Sequence, residues 1–360
     1  MHRWLGLLGQ RAPHSLRRMN WPQASGIFEL GDLPLQSGDR LRDARLSWKA
    51  HGTLSPGRDN VVVYPTSYGA QHQEIEWLIG PEGVLDPTQW FIVIPDQFGG
   101  GLSSSPSSTP DYPAPGYPAL VTAWDNVQAQ SRMLRELWGI ERLACAYGWS
   151  MGATQAYHWA AAFPDRVERI VVNCGSARTA VHNKVFLAGL MAVLEAAPEH
   201  LGGGRFSAEP RAAMRAFARI YAGWALSQDF YRAGLHLSAL GAPDLEAFLV
   251  EGWERRYDTK HAANLYAQLQ TWSAADISGN ALYGGDLPRA LAAIRARVLL
   301  MPSETDLYFR VADNMAELPH LAHAELRPIP SVWGHRAGNP VQNAADQAFL
   351  RDAVRAWLAG

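Results

Sequence analysis

Hydrophobic positions along the chain follow two patterns, and the change from one to the other divides it. Residues 60–64 (NVVVY), 91–95 (FIVIP), 143–147 (LACAY) and 170–173 (IVVN) are continuous apolar runs, rich in β-branched side chains and bounded by turn-forming or polar residues. Such runs are expected of strands buried on both faces of a parallel sheet. Between the second and third runs, Val127, Leu134 and Leu137 recur near helical spacing within 122–139, which closes on Gly139; residues 151–163 form another helical stretch. Strands alternating with helices predict a βαβ architecture. Ahead of it, runs at 27–30 and 42–50 flank the turn-forming Gln36-Ser37-Gly38-Asp39 and predict an opening hairpin.

After Ser176 the pattern changes. Residues 179–286 lack strand-like runs and carry helical stretches with Trp224, Phe230, Tyr231, Trp253, Tyr257, Tyr266 and Trp272. The alternation then resumes with a strand at 297–301 (RVLLM), a helix at 312–318, a strand at 324–329 and a closing helix at 344–358. The expected organisation is an α/β core made of 19–178 and 287–360, with a mostly parallel central sheet flanked by helices. Residues 179–286 are then a helical insertion. Residues 1–18, with Arg3, Arg11, Arg17, Arg18 and no acid, read as a disordered extension rather than a transit peptide. Met19 is an equally good start.

Composition narrows the function classes. The 360 residues are 48% hydrophobic and 18% charged, as in a folded globular protein. Lys and Arg number 32 against 34 Asp and Glu, so no global positive field exists to hold a nucleic acid. No apolar run approaches the ~18 residues of a membrane span. Cys145 and Cys174 make neither a zinc spacing nor a disulfide framework, so neither metal nor cofactor is expected and a reduced, cytoplasmic location fits.

Gly148-Trp149-Ser150-Met151-Gly152 matches G-x-S-x-G and sits between the run at 143–147 and the helix at 151–163, the strand–turn–helix setting of a nucleophile elbow. Glycines at both flanks permit a sharp turn that exposes Ser150 Oγ and aims the Met151 N–H at a developing oxyanion. A serine needs a base, and in this setting a carboxylate and then a histidine follow it in the chain. Asp306, in the loop after 297–301, and His335, after the last strand, fill those roles; Glu304 is the second candidate for the acid. His72, His158, His182, His261, His320 and His323 fall where surface or core roles explain them. For the second oxyanion donor, the loop Pro65-Thr66-Ser67-Tyr68-Gly69 offers the Thr66 N–H, with Ser67 as the alternate. Phe98-Gly99-Gly100-Gly101 lacks the helix and Lys-Ser/Thr of a phosphate loop and reads as a flexible turn beside the site.

Taken together these residues resemble the homoserine O-acetyltransferase family of α/β-hydrolase-fold enzymes, with its esterase relatives. The resemblance runs from about Gly31 to the C-terminus. It is carried by Leu85-Asp86-Pro87 leading into Trp90-Phe91-Ile92-Val93, by Gly101-Leu102-Ser103-Ser104-Ser105-Pro106, by the G-x-S-x-G pentapeptide, and by Phe163-Pro164-Asp165-Arg166-Val167. Gly175-Ser176-Ala177-Arg178, Asn183, Asp306 and Gly334-His335 complete it. It implies a Ser150–Asp306–His335 triad, a helical lid formed by the insertion, and a homodimer joined through lid helices.

Two departures bear on the reaction. The family's substrate-gripping Arg in the first lid helix aligns with Met191, and the Asp that follows the catalytic His is here Arg336. A thioether carries no charge and a guanidinium repels an ammonium, so homoserine is a poor acceptor. The expected activity is therefore hydrolysis of short-chain, acetyl-type carboxylic esters through an acyl-serine, with Trp149, Tyr68, Met191 and Arg336 as candidate pocket residues and a small-molecule ester as the partner. The rivals are a CoA-dependent O-acyltransferase with another alcohol acceptor, and a non-catalytic binding protein on the same scaffold.

Overall fold

The runs at 27–30 and 42–50 pair as the expected hairpin: β1 (Gln23–Pro34) lies antiparallel to β2 (Arg40–His51). This computed structural model describes residues 20–109 and 116–360; the extension expected at 1–18 lies outside the described residues. Then come β3 (Val61–Val63), β4 (Phe91–Pro95), α1 (Ala123–Trp138), β5 (Cys145–Trp149), α2 (Met151–Ala162) and β6 (Arg169–Asn173). The sequence pattern fixed α1 closely because its ends are chemically marked. Thr122 and Asp125 form a capping box, and Gly139 turns left-handed at φ +63° so that its N–H reaches the Leu134 and Arg135 carbonyls.

Between β6 and the next core strand the chain forms α3 (Val181–Glu195), a small hairpin of β7 (His200–Gly202) and β8 (Arg205–Phe206), and α4 (Arg211–Ala225). Short helices α5 (Gln228–Arg232), α6 (Leu235–Ser238) and α7 (Leu245–Ala247) lead into a π-helical turn (Phe248–Glu254), α8 (Arg255–Asp258) and α9 (Ala262–Ala274). The β7–β8 hairpin corrects the expectation of a strand-free insertion. Its arms are too short to show alternation, and the turn is made by glycines: a Cβ on Gly204, at φ +74°, would lie 2.2 Å from the Tyr266 ring. The core then closes with α10 (Leu287–Ala292), β9 (Arg297–Met301), α11 (Val311–Glu317), β10 (Ala324–Leu326) and α12 (Ala344–Ala359).

The main sheet has the order β1-β2-β4-β3-β5-β6-β9-β10, antiparallel through β2–β4 and parallel beyond. Val61–Val63 and Phe91–Pro95 are buried throughout, because helices cover both faces. Val63, Val93, Val172 and Leu300 pack on one face with Val127 and Met133 of α1 and with α2; Val62, Ile92, Tyr147 and Leu299 pack on the other with Leu350, Val354 and Trp357 of α12. A third core joins the helices after β6 to the strand-end loops: Phe186, Leu190, Phe217 and Trp272 pack with Tyr68, Met151, Tyr308 and Phe309. Each fully buried large side chain contributes roughly 1.5–3 kcal/mol, so the insertion is seated on the loops at the carboxyl ends of the strands. Among the described residues no helix is long and apolar enough to cross a membrane.

Candidate active site

β5 ends at Trp149 and α2 begins at Met151, leaving Ser150 alone at the turn with φ +59° and ψ −126°. Only close backbone approach allows this turn. A Cβ on Gly148 would lie 2.1 Å from the Gly152 carbonyl oxygen, and one on Gly152 would lie 2.6 Å from the Pro65 carbonyl oxygen. The strained residue is over-determined: its own N–H donates to the Asn173 carbonyl at 3.0 Å, which joins the elbow to the end of β6.

His335 Nε2 lies 2.8 Å from Ser150 Oγ, and its Nδ1 lies 2.7 Å from Asp306 Oδ2. The other carboxylate oxygen of Asp306 accepts the Tyr308 and Phe309 N–H groups at 2.7 and 3.2 Å, which fixes the acid. Glu304 is exposed; the acid that touches the imidazole is Asp306. Serine, acid and histidine are each only 3% exposed. Thr305 joins the two loops, donating to the Ser331 carbonyl and accepting from the Gly334 N–H. The imidazole is sandwiched by Trp149, stacked at 5.1 Å, and by Tyr308, edge-on at 4.8 Å.

For the second oxyanion donor the structure corrects the sequence reading. The Thr66 N–H donates to the Pro95 carbonyl at 3.2 Å, the Thr66 carbonyl accepts from Gln155, and its hydroxyl accepts from the Gln97 N–H. Every polar group of Thr66 is thus engaged in the sheet-end network, so its amide is not free to serve an oxyanion. Ser67 is different: its hydroxyl donates to the Trp149 carbonyl at 2.7 Å, while its N–H finds no hydrogen-bond partner among the described residues. The Met151 N–H, first in α2, has no partner within the helix either. Sequence reasoning also passed over what anchors this loop. His72, which it assigned a surface or core role, is buried against Asp96, with its ring nitrogen at 2.7 Å and its N–H donating at 2.8 Å.

The Phe98-Gly99-Gly100-Gly101 turn is packed rather than open: a Cβ on Gly99 or Gly100 would come within 3.2 Å of Gln268. Gln268 also accepts the Gly69 N–H at 2.7 Å, tying the turn and the loop at 65–69 to α9.

Above the triad lies an aromatic roof. Tyr308 contacts Phe186, Tyr221, Trp224 and Trp272, and Tyr68 stacks on Tyr221 at 5.8 Å. Burial pushes the Tyr308 phenol well above its ordinary range, so it stays neutral. Of the predicted pocket residues, Trp149 and Tyr68 are in this setting. Met191 is half-buried against the helical cluster, and the α3 residues that reach the roof are Phe186, against Tyr308, and His182, against Trp224. Arg336 is partly exposed near Tyr221 and Tyr257; desolvation, and then the neighbouring Arg256, lower its pKa to about 10.

Cys174, Asp306 and His335 each bring one potential ligand atom within 4.8 Å of the others. Asp306 and His335 are hydrogen-bonded to one another there, and burial holds the Cys174 thiol far above its ordinary pKa. A protonated thiol is a poor nucleophile, which leaves the serine as the group a base can activate.

A family model described as the alpha/beta hydrolase fold matches residues 76–199. The chain is 36% identical over 317 residues to an ethyl acetate hydrolase of Pseudomonas veronii, covering 86% of this chain and 89% of that protein. It superposes on the acetyl esterase MekB with a TM-score of 0.89 at 31% identity, covering 94% of this chain and 97% of that one. A homoserine O-acetyltransferase of Leifsonia xyli is more distant, at 27% identity over 85% of this chain and 83% of that protein. With its serine elbow, acid and histidine assembled and its similarity greater to esterases than to homoserine acyltransferases, the chain belongs to the α/β-hydrolase family and is a serine hydrolase of its esterase branch.

Proposed function

We propose that the protein hydrolyses short-chain, acetyl-type carboxylic esters, with Ser150 as nucleophile, His335 as base and then acid, and Asp306 as the group that orients the imidazole. The observation that carries this reading is the unbroken chain from Ser150 Oγ to His335 to Asp306, at 2.8 and 2.7 Å. Ser150 Oγ attacks the ester carbonyl carbon as His335 Nε2 takes its proton, and the electron pair moves to the carbonyl oxygen. The N–H groups of Met151 and Ser67 would hold that oxyanion. Collapse breaks the bond to the alkoxide, which leaves as alcohol with the proton returned by His335. Water, deprotonated by the same imidazole, then releases acetate and restores the serine.

The roof of buried Phe186, Trp272 and Tyr308 with partly buried Tyr221 supports a small acyl group and a lid formed by 179–286. The names of the relatives above support the acetyl ester. Apolar residues Val181 and Val185 on α3 are 79% and 63% exposed, one turn apart, with Ala188 and Ala192 exposed on the same side. This stripe supports a homodimer through lid helices. Two free, buried cysteines fit a cytoplasmic location.

The test is to incubate the protein with 4-nitrophenyl acetate, and separately with acetyl-CoA and a series of alcohols, for wild type and Ser150→Ala. Ester turnover lost in the variant is the expected result. Acyl transfer from CoA faster than hydrolysis would make the protein an acyltransferase, and no reaction in either assay would make it a binding protein.

A further inference from the structure

The peptide that joins Thr66 to Ser67 carries the N–H proposed above as the second oxyanion donor, and its plane is set from behind. In a trans peptide the carbonyl and the N–H of the next residue point in opposite directions. Whatever holds the Thr66 carbonyl therefore decides where the Ser67 N–H faces. Gln155 holds it, donating from Nε2 at 3.2 Å. The other tethers of the loop act elsewhere. The Thr66 N–H, bonded to Pro95, belongs to the preceding peptide, and the Ser67 carbonyl, which accepts from Ala70, belongs to the following one. The Ser67 hydroxyl, bonded to Trp149, turns about its own side-chain bond.

Gln155 is in turn held in one sense. Its Oε1 accepts from Gln130 Nε2 at 2.6 Å, and Gln130 Oε1 accepts from Trp159 Nε1 at 2.9 Å. An indole N–H can only donate, so Gln130 must turn its oxygen to Trp159 and its nitrogen to Gln155. Gln155 must then turn its nitrogen to Thr66; its remaining N–H faces Gln97 Oε1 at 3.5 Å. Alone, a carboxamide could present either end to the loop, and Trp159 excludes the wrong one. These four side chains are at most 2% exposed, so water neither competes for the bonds nor screens them. The donors run in a single direction from Trp159 to the Ser67 N–H, and each bond polarises the next. Gln155 stands one turn along α2 from Met151. The helix thus offers one oxyanion donor from its first N–H and aims the other through a side chain.

We infer that Gln155 is a positioning residue of the oxyanion site: oriented by Gln130 and Trp159, it locks the Thr66–Ser67 peptide with its N–H toward the substrate carbonyl oxygen. The inference rests on the ester-hydrolase reading above and on Ser67 as the donor. Without the lock the peptide can turn, and turned over it would present the Thr66 carbonyl, an acceptor, to the developing negative charge. Because that charge is greatest in the transition state, the loss falls on kcat rather than KM.

Gln155→Met keeps the length of the side chain and removes the donor. With 4-nitrophenyl acetate its kcat is expected to fall about 10- to 100-fold, short of the loss of an oxyanion donor itself, with KM little changed. Gln130→Met and Trp159→Phe leave Gln155 in place but free to turn over, and should cost progressively less. A double-mutant cycle separates positioning from packing: in a Ser67→Pro background the Gln155→Met loss should vanish, because no N–H is left to aim. Trifluoroacetone gives a second readout. Ser150 Oγ adds to its carbonyl carbon, the serine proton passes to His335, and the carbonyl oxygen becomes an oxyanion in the same place. Its affinity, followed by fluorine NMR, should fall in Gln155→Met by the same factor as kcat/KM.

An unchanged kcat in Gln155→Met, a loss that persists in the Ser67→Pro background, or an unchanged trifluoroacetone affinity overturns the inference, while wild-type turnover that needs Ser150 leaves the esterase reading standing. Should circular dichroism show Gln155→Met unfolded, Trp159→Phe carried through the same cycle decides it. Should wild type turn over no ester, the trifluoroacetone adduct of wild type against Gln155→Met decides it alone, and equal affinity or no adduct rejects it.

Discussion

The Ser67 hydroxyl donates to the backbone carbonyl of Trp149 at 2.7 Å, tying the loop after β3 to the residue that precedes the nucleophile. This bond sets the separation between two stretches of backbone that are 82 residues apart in sequence. The elbow and the proposed oxyanion donor therefore move as one unit, which is what preorganised stabilisation of a developing charge requires.

Ser67→Pro removes the unpaired N–H and should lower kcat by about 100- to 1,000-fold with little change in KM. Ser67→Ala, which loses only the tether to Trp149, should cost far less. Steady-state kinetics of both variants, with circular dichroism to confirm folding, check the assignment.

Asp306→Asn leaves the shape of the site intact but favours the wrong imidazole tautomer, and a kcat loss of about 10,000-fold is expected from the behaviour of such triads. Glu304→Gln, at an exposed position, should fall within a few-fold of wild type. The same ester assay separates the two acids.

The pH dependence of stability should carry the mark of Glu317. Its carboxyl is buried where α11 meets the end of β6, accepting from the Ala177 N–H, the Tyr157 hydroxyl and the Asn314 amide. Burial raises its pKa to about 7. A raised acid pKa means the folded state holds the proton more tightly than the unfolded chain. This contribution to stability is therefore present below the unfolded value and lost as pH rises from about 4.5 to about 7. Glu317→Gln removes that slope: its melting temperature relative to wild type should be higher at pH 8 than at pH 5. A pH-independent difference would show that the carboxyl does not titrate there.

Val185→Glu places a charge in the exposed apolar stripe of α3. Light scattering should show a dimer for wild type and a monomer for the variant, with the melting temperature of each protomer little changed, since the position is on the surface.

Much of this fold was readable in sequence because its strands are short continuous apolar runs and its main helices carry chemical end marks such as Thr122 and Gly139. The β7–β8 hairpin was not, since three consecutive glycines erase any periodicity. In the site, Ser150, Asp306 and His335 were legible because the strand–turn–helix context and the chain order constrain them. The choice between Thr66 and Ser67 was not, because it depends on which amide the neighbouring strand end consumes, and Pro95 takes that of Thr66.

The account depends most on an acyl group passing through Ser150. Rapid quenching of the first turnover with 4-nitrophenyl acetate, followed by mass spectrometry of the peptide containing residue 150, tests this directly. One acetyl group on Ser150, together with loss of turnover in Ser150→Ala and retention of the adduct when water attack is slowed at low pH, is the predicted result. An acetyl group found on another residue, or turnover that survives in Ser150→Ala, would contradict it.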